Sequence, residues 1–146
     1  MVTTTIVTLP YGNRSVEVEI PTPNLIGVYS PQDIPPVADV AAEIRRALAD
    51  PIGSPGLAAL AGGKRRVVLV ADGNTRLTPT DKIVPVVLDA LNAAGVPDER
   101  ISIVIALGTH RFMTAEEIRA KFGPSVVGRV AIRNHPYKDP AQLADL

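Results

Sequence analysis

The 146-residue sequence contains no cysteine and no tryptophan, and only 3% of its residues are aromatic. The lack of cysteine excludes thiol catalysis, disulfides and thiolate metal sites, and it fits a reducing compartment. Fifteen basic and fifteen acidic residues cancel, which argues against a nucleic-acid or membrane partner held by bulk charge. The amino terminus has no basic segment followed by a long apolar one, so we expect neither a secretory signal nor a membrane span. We therefore expect a soluble, cytoplasmic domain.

The residues that are present suffice for one globular core. Hydrophobic residues make up 46% of the sequence and charged residues 21%, which is ordinary for a soluble globular protein. The length fits a single domain. Since aromatic residues are scarce, the core must consist mainly of Val, Ile, Leu and Ala.

The first 36 residues predict a hairpin and a connector that precede an α/β core at 37–146. Two β-rich runs, 2–9 and 15–20, flank a turn, and the proline-rich segment 21–36 should run as an extended connector. Later in the chain, helical patterns cover 37–49, 56–61, 78–94 and 114–122, and strand patterns cover 67–71, 101–107 and 127–133. This alternation predicts an α/β fold, a Rossmann-like parallel sheet with flanking helices.

Local signals refine these elements. Thr78 should cap the third helix with Pro79 at its first position, and Pro85 should bend that helix or restart its first turn. Thr114 and Glu117 resemble a capping box for the fourth helix. The continuous apolar run 67–71 is typical of a strand covered on both faces.

The chain stops soon after its third predicted strand, although an α/β sheet normally continues with a helix on the uncovered face. We expect a fragment or the amino-terminal half of a larger protein, and a naturally short domain is the alternative. An uncovered sheet face would favour association, which leaves a homo-oligomer open.

Two short loops follow neighbouring strands and should meet at the carboxyl edge of the sheet, where open α/β sheets bind ligands. The first loop comprises Gly73, Asn74, Thr75 and Arg76. Backbone N–H groups before a helix start and the planar fork of the arginine suit a carboxylate or phosphate. The alternative is that the loop only shapes a turn while the arginine points to water, and the spacing alone does not separate these readings.

The second loop comprises Gly108, Thr109, His110 and Arg111. A histidine can take and return protons near neutral pH, so His110 is a candidate acid/base, although a lone histidine is more often structural. Arg111 either shares the substrate charge or only solvates the loop. His135 is better explained by a turn than by a contact at the rim of the site.

Several familiar sites are absent from the sequence. There is no complete metal-binding pattern of histidines and acids, so no metal ligand is assigned. Glycine-rich dinucleotide loops, phosphate loops and serine nucleophile elbows are also missing.

Several segments together resemble the amino-terminal domain of the nickel-pincer lactate racemases. The resemblance covers most of the chain, in the order 9–12, 51–54, 74–79, 108–111 and 114–123. It implies an isomerase, a racemase or epimerase of a small 2-hydroxy acid. In this family a nickel-pincer nucleotide, Ni(II)-pyridinium-3,5-bisthiocarboxylate mononucleotide, accepts a hydride from the substrate α-carbon and returns it to either face.

The resemblance also implies residue roles. In the family, the histidine that matches His110 exchanges a proton with the substrate hydroxyl. The loop that matches Gly73 to Arg76 contacts the cofactor. We assign Thr109 and Arg111 to the substrate. The lysine that anchors the cofactor, the nickel-binding histidine and a second catalytic histidine lie beyond this region, so we expect the C-terminal part of the same protein as a partner and an inactive chain on its own.

Two positions depart from the family pattern. Gly73 stands where the family usually has an acid, with Asp72 one place earlier, and Leu77 replaces a favoured proline. The alternative function is therefore a non-catalytic, stand-alone α/β module that binds a phosphorylated ligand or a partner domain.

Overall fold

The computed structural model describes residues 2–143, which form two compact units that divide between Pro36 and Val37. In the first unit, β1 (Thr4–Tyr11) and β2 (Arg14–Pro21) pair antiparallel, so the predicted hairpin is confirmed. The tight turn between them contains Gly12, whose φ of 62° is a backbone conformation that glycine adopts without strain. A single 3-10 turn, Thr22–Asn24, follows, and the rest of this unit is irregular.

The second unit is the predicted mixed α/β core. Its elements in chain order are α1 (Val40–Ala49), α2 (Leu57–Ala61), β3 (Val67–Asp72), α3 (Thr80–Ala93), β4 (Ile101–Ala106), α4 (Ala115–Phe122), α5 (Pro124–Val127) and β5 (Ala131–Asn134). The three strands pair in parallel in the order β3-β4-β5, which confirms the parallel sheet with flanking helices. Since β3 and β4 are direct neighbours, the loops that follow them leave the sheet side by side.

The core lies between one face of the sheet and the helices. On β4, Ile101, Ile103 and Ile105 are at most 3% exposed. They pack with buried residues of α3, α4 and α5, among them Leu88, Leu91, Phe122 and Val126. As the composition requires, Val, Leu and Ile supply nearly all of this cluster, and Phe122 is its only aromatic member among the described residues.

The opposite face of the sheet differs from the expectation for β3. Val68 and Val70 are 46% and 72% exposed, so this strand is not covered on both faces within residues 2–143. The alternate residues Val67 and Leu69 point to the other face and pack against the hydrophobic core. A continuous apolar run marks side chains that are apolar on both faces, but it does not show whether both faces are covered here.

Two predicted boundaries were wrong. Residues 127–130 are not strand, because Gly123 ends α4 with a φ of 81° and Pro124 then starts the short helix α5. The third helix begins at Thr80, one residue after the predicted first position, Pro79. Pro79 is at the N-cap position, and the Thr78 hydroxyl donates to Asp72 instead of capping the helix. Helix α3 runs through Pro85 as one element, so it does not restart there.

The remaining elements agree with their predicted places within a few residues. Helix α1 starts at Val40, after Asp39 accepts a hydrogen bond from the Ala42 amide as its N-cap. The capping box of Thr114 and Glu117 forms as predicted. Over the described residues, every helix is too short or too polar to traverse a bilayer.

Candidate functional site

The two loops line one cleft at the carboxyl ends of β3 and β4. The cleft has a volume of about 370 Å³, and its walls are Asp72, Gly73, Asn74, Thr75, Arg76, Ala106, Leu107, Gly108, Thr109 and His110. Gly108 and six of the seven loop residues to which a role was assigned from the sequence therefore lie together. The seventh, Arg111, is not among the lining residues.

The backbone of the first loop is held from outside by helix α4. The Lys121 ammonium donates to the backbone carbonyl of Arg76 at 2.8 Å and to that of Thr78 at 3.3 Å. It also pairs with the Asp72 carboxylate at 2.8 Å, and its side chain is only 10% exposed. The three donors of this ammonium thus all go to the segment that leads into, through and out of the loop.

Asp72 is held as a carboxylate in spite of its partial burial. Burial disfavours its charge, but hydrogen bonds from Lys121 and Thr78 outweigh this effect and keep the pKa of Asp72 below its ordinary value. Its negative charge at the edge of the cleft is therefore compensated by a neighbouring cation, and its oxygens already have partners on the helix side.

The second loop is tied to the end of β5. The Asn134 side chain makes a reciprocal pair with the backbone of Met113, accepting from its N–H at 3.0 Å and donating to its C=O at 2.9 Å. The Tyr137 hydroxyl donates to the Thr109 carbonyl at 3.2 Å. Sequence reasoning missed both contacts, because they join residues more than twenty positions apart.

His110 projects from a turn that these contacts support. Its backbone N–H donates to the Leu107 carbonyl at 3.1 Å, and Gly108 within the turn has a φ of 58°. The histidine itself is exposed at the mouth of the cleft. It is therefore free to meet a ligand that sits between the loops.

Glu117 joins the two loops directly. Its carboxylate accepts hydrogen bonds from Arg111 at 2.6 and 2.9 Å and from the Asn74 amide at 3.1 Å. The backbone N–H of Thr114 donates to it at 2.8 Å. The Arg111 guanidinium foremost, and then the Thr114 amide, lower the pKa of Glu117 from 4.5 to about 2. The capping-box pattern identified this residue, but not its contacts with the loops.

These contacts also place the remaining candidates. Arg111 is engaged with Glu117 and with the Phe112 carbonyl, so in this structure its guanidinium supports the loop. His135 lines a separate cavity beside Val104 and Arg133, and its backbone N–H donates to the Ile105 carbonyl.

The cleft offers donors for an anion. Within residues 2–143 the backbone amides of Asn74, Thr75, Gly108 and Thr109 donate no hydrogen bond, and the Arg76 side chain makes no ion pair. The first turn of α3 does not line the cleft, contrary to the expected helix-terminus contribution. Any attraction for a phosphate or carboxylate must therefore come from the loop amides and Arg76.

A protein-only metal site is not formed in this part of the chain. Across the described residues, no three His, Asp or Glu side chains converge as metal ligands. The cleft presents the imidazole of His110 beside the guanidinium of Arg76 and a loop with backbone amides that are unpaired within residues 2–143.

Comparison with known proteins decides the family. The family model of the lactate racemase N-terminal domain matches residues 11–146. The chain belongs to this family. It is 31% identical to the lactate racemase of Lactiplantibacillus plantarum over 140 residues, which are 94% of this chain and 33% of that protein. It is also 31% identical to the lactate racemase of Thermoanaerobacterium thermosaccharolyticum over 121 residues, 82% of this chain and 28% of that protein.

Solved structures agree with the lactate racemase N-terminal fold. The lactate racemase apoprotein of T. thermosaccharolyticum superposes with a TM-score of 0.70 at 28% identity, over 90% of this chain and 30% of that one. A protein from Thermotoga maritima matches with a TM-score of 0.55 at 27% identity, over 70% of this chain and 23% of that one. The chain spans about a third of the length of the curated relatives that it matches.

Position 73, which lines the cleft, holds a glycine where the family resemblance implies an acid. A Cβ placed on Gly73 would lie 3.4 Å from a methyl group of Leu107 and 3.9 Å from the Met113 sulfur. The Cβ of a side chain at this position would therefore point toward apolar neighbours. The neighbouring Asp72 is committed to Lys121 and Thr78.

Proposed function

We propose that this chain is the cofactor- and substrate-binding N-terminal domain of a nickel-pincer-dependent racemase or epimerase of a small 2-hydroxy acid. The observation that carries the proposal is that His110 lines the same cleft as Thr75 and Arg76, in a chain that belongs to the lactate racemase N-terminal family. A 2-hydroxy acid has a carboxylate, a hydroxyl and an α-hydrogen. The cleft has an acid/base for the hydroxyl and donors for an anion.

His110 would move the proton in this reaction. Its imidazole takes the proton of the substrate hydroxyl as the hydroxyl carbon becomes a carbonyl, and returns the proton when the hydroxyl is restored. Thr109, next to it, and Arg111 are the proposed substrate contacts. Because Arg111 is paired with Glu117, it would reach a substrate only by sharing that partner.

The residues of the first loop fit the phosphate of a pyridinium mononucleotide. The amides of Asn74 and Thr75 donate no hydrogen bond within residues 2–143, so they can donate to phosphate oxygens. Arg76 adds a bidentate partner for phosphate oxygens. When bound, the nickel-pincer group would supply the hydride acceptor. The groups that anchor it covalently and ligate its nickel would come from the C-terminal part of the same protein.

The test compares His110→Ala with His135→Ala in the complete cofactor-loaded protein that contains this chain. The assay is the interconversion of the enantiomers of lactate and of related 2-hydroxy acids. We expect His110→Ala to lose roughly 100-fold or more of turnover, in line with the usual contribution of a general acid/base. His135→Ala should stay close to the unsubstituted protein, and both variants should keep its thermal unfolding profile. Unchanged turnover in His110→Ala would refute the assignment.

The second candidate function is a non-catalytic module that binds a phosphorylated ligand or a partner domain. The glycine at position 73 favours it, because a side chain that the enzymatic relatives are expected to use is missing. In that case the complete protein would bind nicotinate mononucleotide or inorganic phosphate in the cleft, weakened by Arg76→Ala. It would show no turnover of any 2-hydroxy acid.

A further inference from the structure

One carboxylate of α4 makes more contacts than its helix requires. A capping box needs Glu117 only to accept from the backbone N–H of Thr114. Here the same carboxylate also receives the bidentate guanidinium of Arg111 and the amide of Asn74. Its neighbour Glu116, in the same helical turn, is exposed and makes no hydrogen bond or ion pair within the described residues.

The two side-chain partners of this carboxylate come from the two different loops. Asn74 lies two residues before Arg76, and Arg111 follows His110 directly. One Glu117 oxygen, Oε1, accepts from both Asn74 and Arg111, at 3.1 and 2.6 Å. The two loops are 32 or more positions apart in sequence, and this oxygen is a direct side-chain bridge between them.

We propose that Glu117 is a positioning residue that couples the two loops, so that the histidine and the anion-binding arginine keep one separation. The relevance of this coupling to catalysis rests on the proposed function, whereas the coupling itself does not. A reaction that needs a proton acceptor and a bound anion at fixed distance loses rate steeply when either shifts by about 1 Å. Charge-assisted, bidentate hydrogen bonds are suited to fix such a distance.

The informative variant is Glu117→Gln. Glutamine keeps an oxygen that can accept from the Thr114 amide and so keeps the capping box. It loses the charge and the second acceptor oxygen that Arg111 and Asn74 need. Glu116→Gln is the matched control, because it removes the same charge from the same turn without touching either loop. Thr114→Ala is the second control, since it removes the helix cap and leaves the contacts with the loops.

The measurement is amide hydrogen exchange, resolved by NMR, in the complete protein without cofactor or substrate. The amides of Arg76 and His110 are the probes, because each is hydrogen-bonded within its own loop and neither touches Glu117. We expect Glu117→Gln to raise the hydrogen-exchange rates of both amides together, roughly tenfold, because a charge-assisted hydrogen bond is lost. Glu116→Gln should change neither, and Thr114→Ala should affect mainly the first turn of α4.

Each other outcome overturns the coupling. If Glu117→Gln changes the exchange rate of neither amide, the contacts of Glu117 do not hold the loops in place. If it changes one amide only, Glu117 supports a single loop. Turnover is read separately: if the protein racemises a 2-hydroxy acid, Glu117→Gln should lower kcat more than it raises KM, whereas Glu116→Gln changes neither. If turnover is absent but both amides respond, the proposed function fails and the coupling stands.

Discussion

At the scale of single residues, Lys121 carries the clearest consequence for stability. Its ammonium is almost buried and is shared by Asp72 and two backbone carbonyls. Lys121→Met keeps most of the side-chain volume, but it leaves a half-buried carboxylate and two carbonyls with fewer partners. We expect a loss of about 1–3 kcal/mol in the free energy of unfolding, measured by urea titration at neutral pH. Lys82→Met, at an exposed position of α3, is the control.

The same variant makes a prediction about pH. Because the pKa of Asp72 is lowered in the folded protein, its pairing stabilises the fold above the ordinary aspartate pKa of 3.8. This contribution is lost as the pH falls through the lowered folded value. The difference in unfolding free energy between Lys121→Met and the unsubstituted protein should therefore shrink in strong acid. A difference that stays constant there would contradict the Asp72–Lys121 assignment.

Single residues also show how far the sequence predicts the site. Glycine, threonine, arginine and histidine at two strand ends carry recognisable chemistry, and six of the seven loop residues to which a role was assigned line one cleft. Lys121, Asn134 and Tyr137 carry no such local signal. The partners of Lys121 and Tyr137 lie 28 to 49 positions away in sequence, and the partner of Asn134 lies 21 positions away. Contacts at that separation depend on packing, which a single sequence does not display.

At the scale of elements, a proline inside helix α3 lowers the stability of the folded protein. Pro85 lies in the sixth position of this helix, where it cannot donate the i to i−4 hydrogen bond to the carbonyl of Asp81. Pro85→Ala should restore that bond and improve helix propensity. We expect a gain of about 1–2 kcal/mol, less than the ~3 kcal/mol propensity difference, because proline also restricts the unfolded chain. Urea unfolding measures the gain, and a loss of stability would show that packing of the ring outweighs it.

The elements that were predicted well are those with strong local signals for where they start and end. Helix α4 has a complete capping box at its start and a glycine at its end, and both form as expected. Before residues 127–130 the signal is weaker, because Pro124 starts α5 without a side-chain cap. Their β-branched composition favoured a strand, but Val126 is buried in the core as part of α5, and that tertiary contact decides the local conformation.

At the scale of the whole molecule, the core belongs to one unit. Every residue of the main hydrophobic cluster lies between Ala61 and Val130, and none lies in the first 36 residues. The hairpin has only two strands, and such a hairpin has little stability of its own. We expect a chain that begins at Val37 to keep a cooperative unfolding transition, recorded by circular dichroism in urea. Loss of cooperativity would show that the hairpin completes the core.

The sequence was sufficient for the α/β class, for the parallel and adjacent strands β3 and β4, and for the two loops that follow them, because periodicity, capping and strand-end chemistry are encoded locally. It did not predict that β3 is open on one face, that α5 replaces the start of the last strand, or that Arg111 turns to Glu117. Those features depend on which surfaces meet after folding. Burial and hydrogen bonds between distant residues determine them, and these forces act only once the chain has packed.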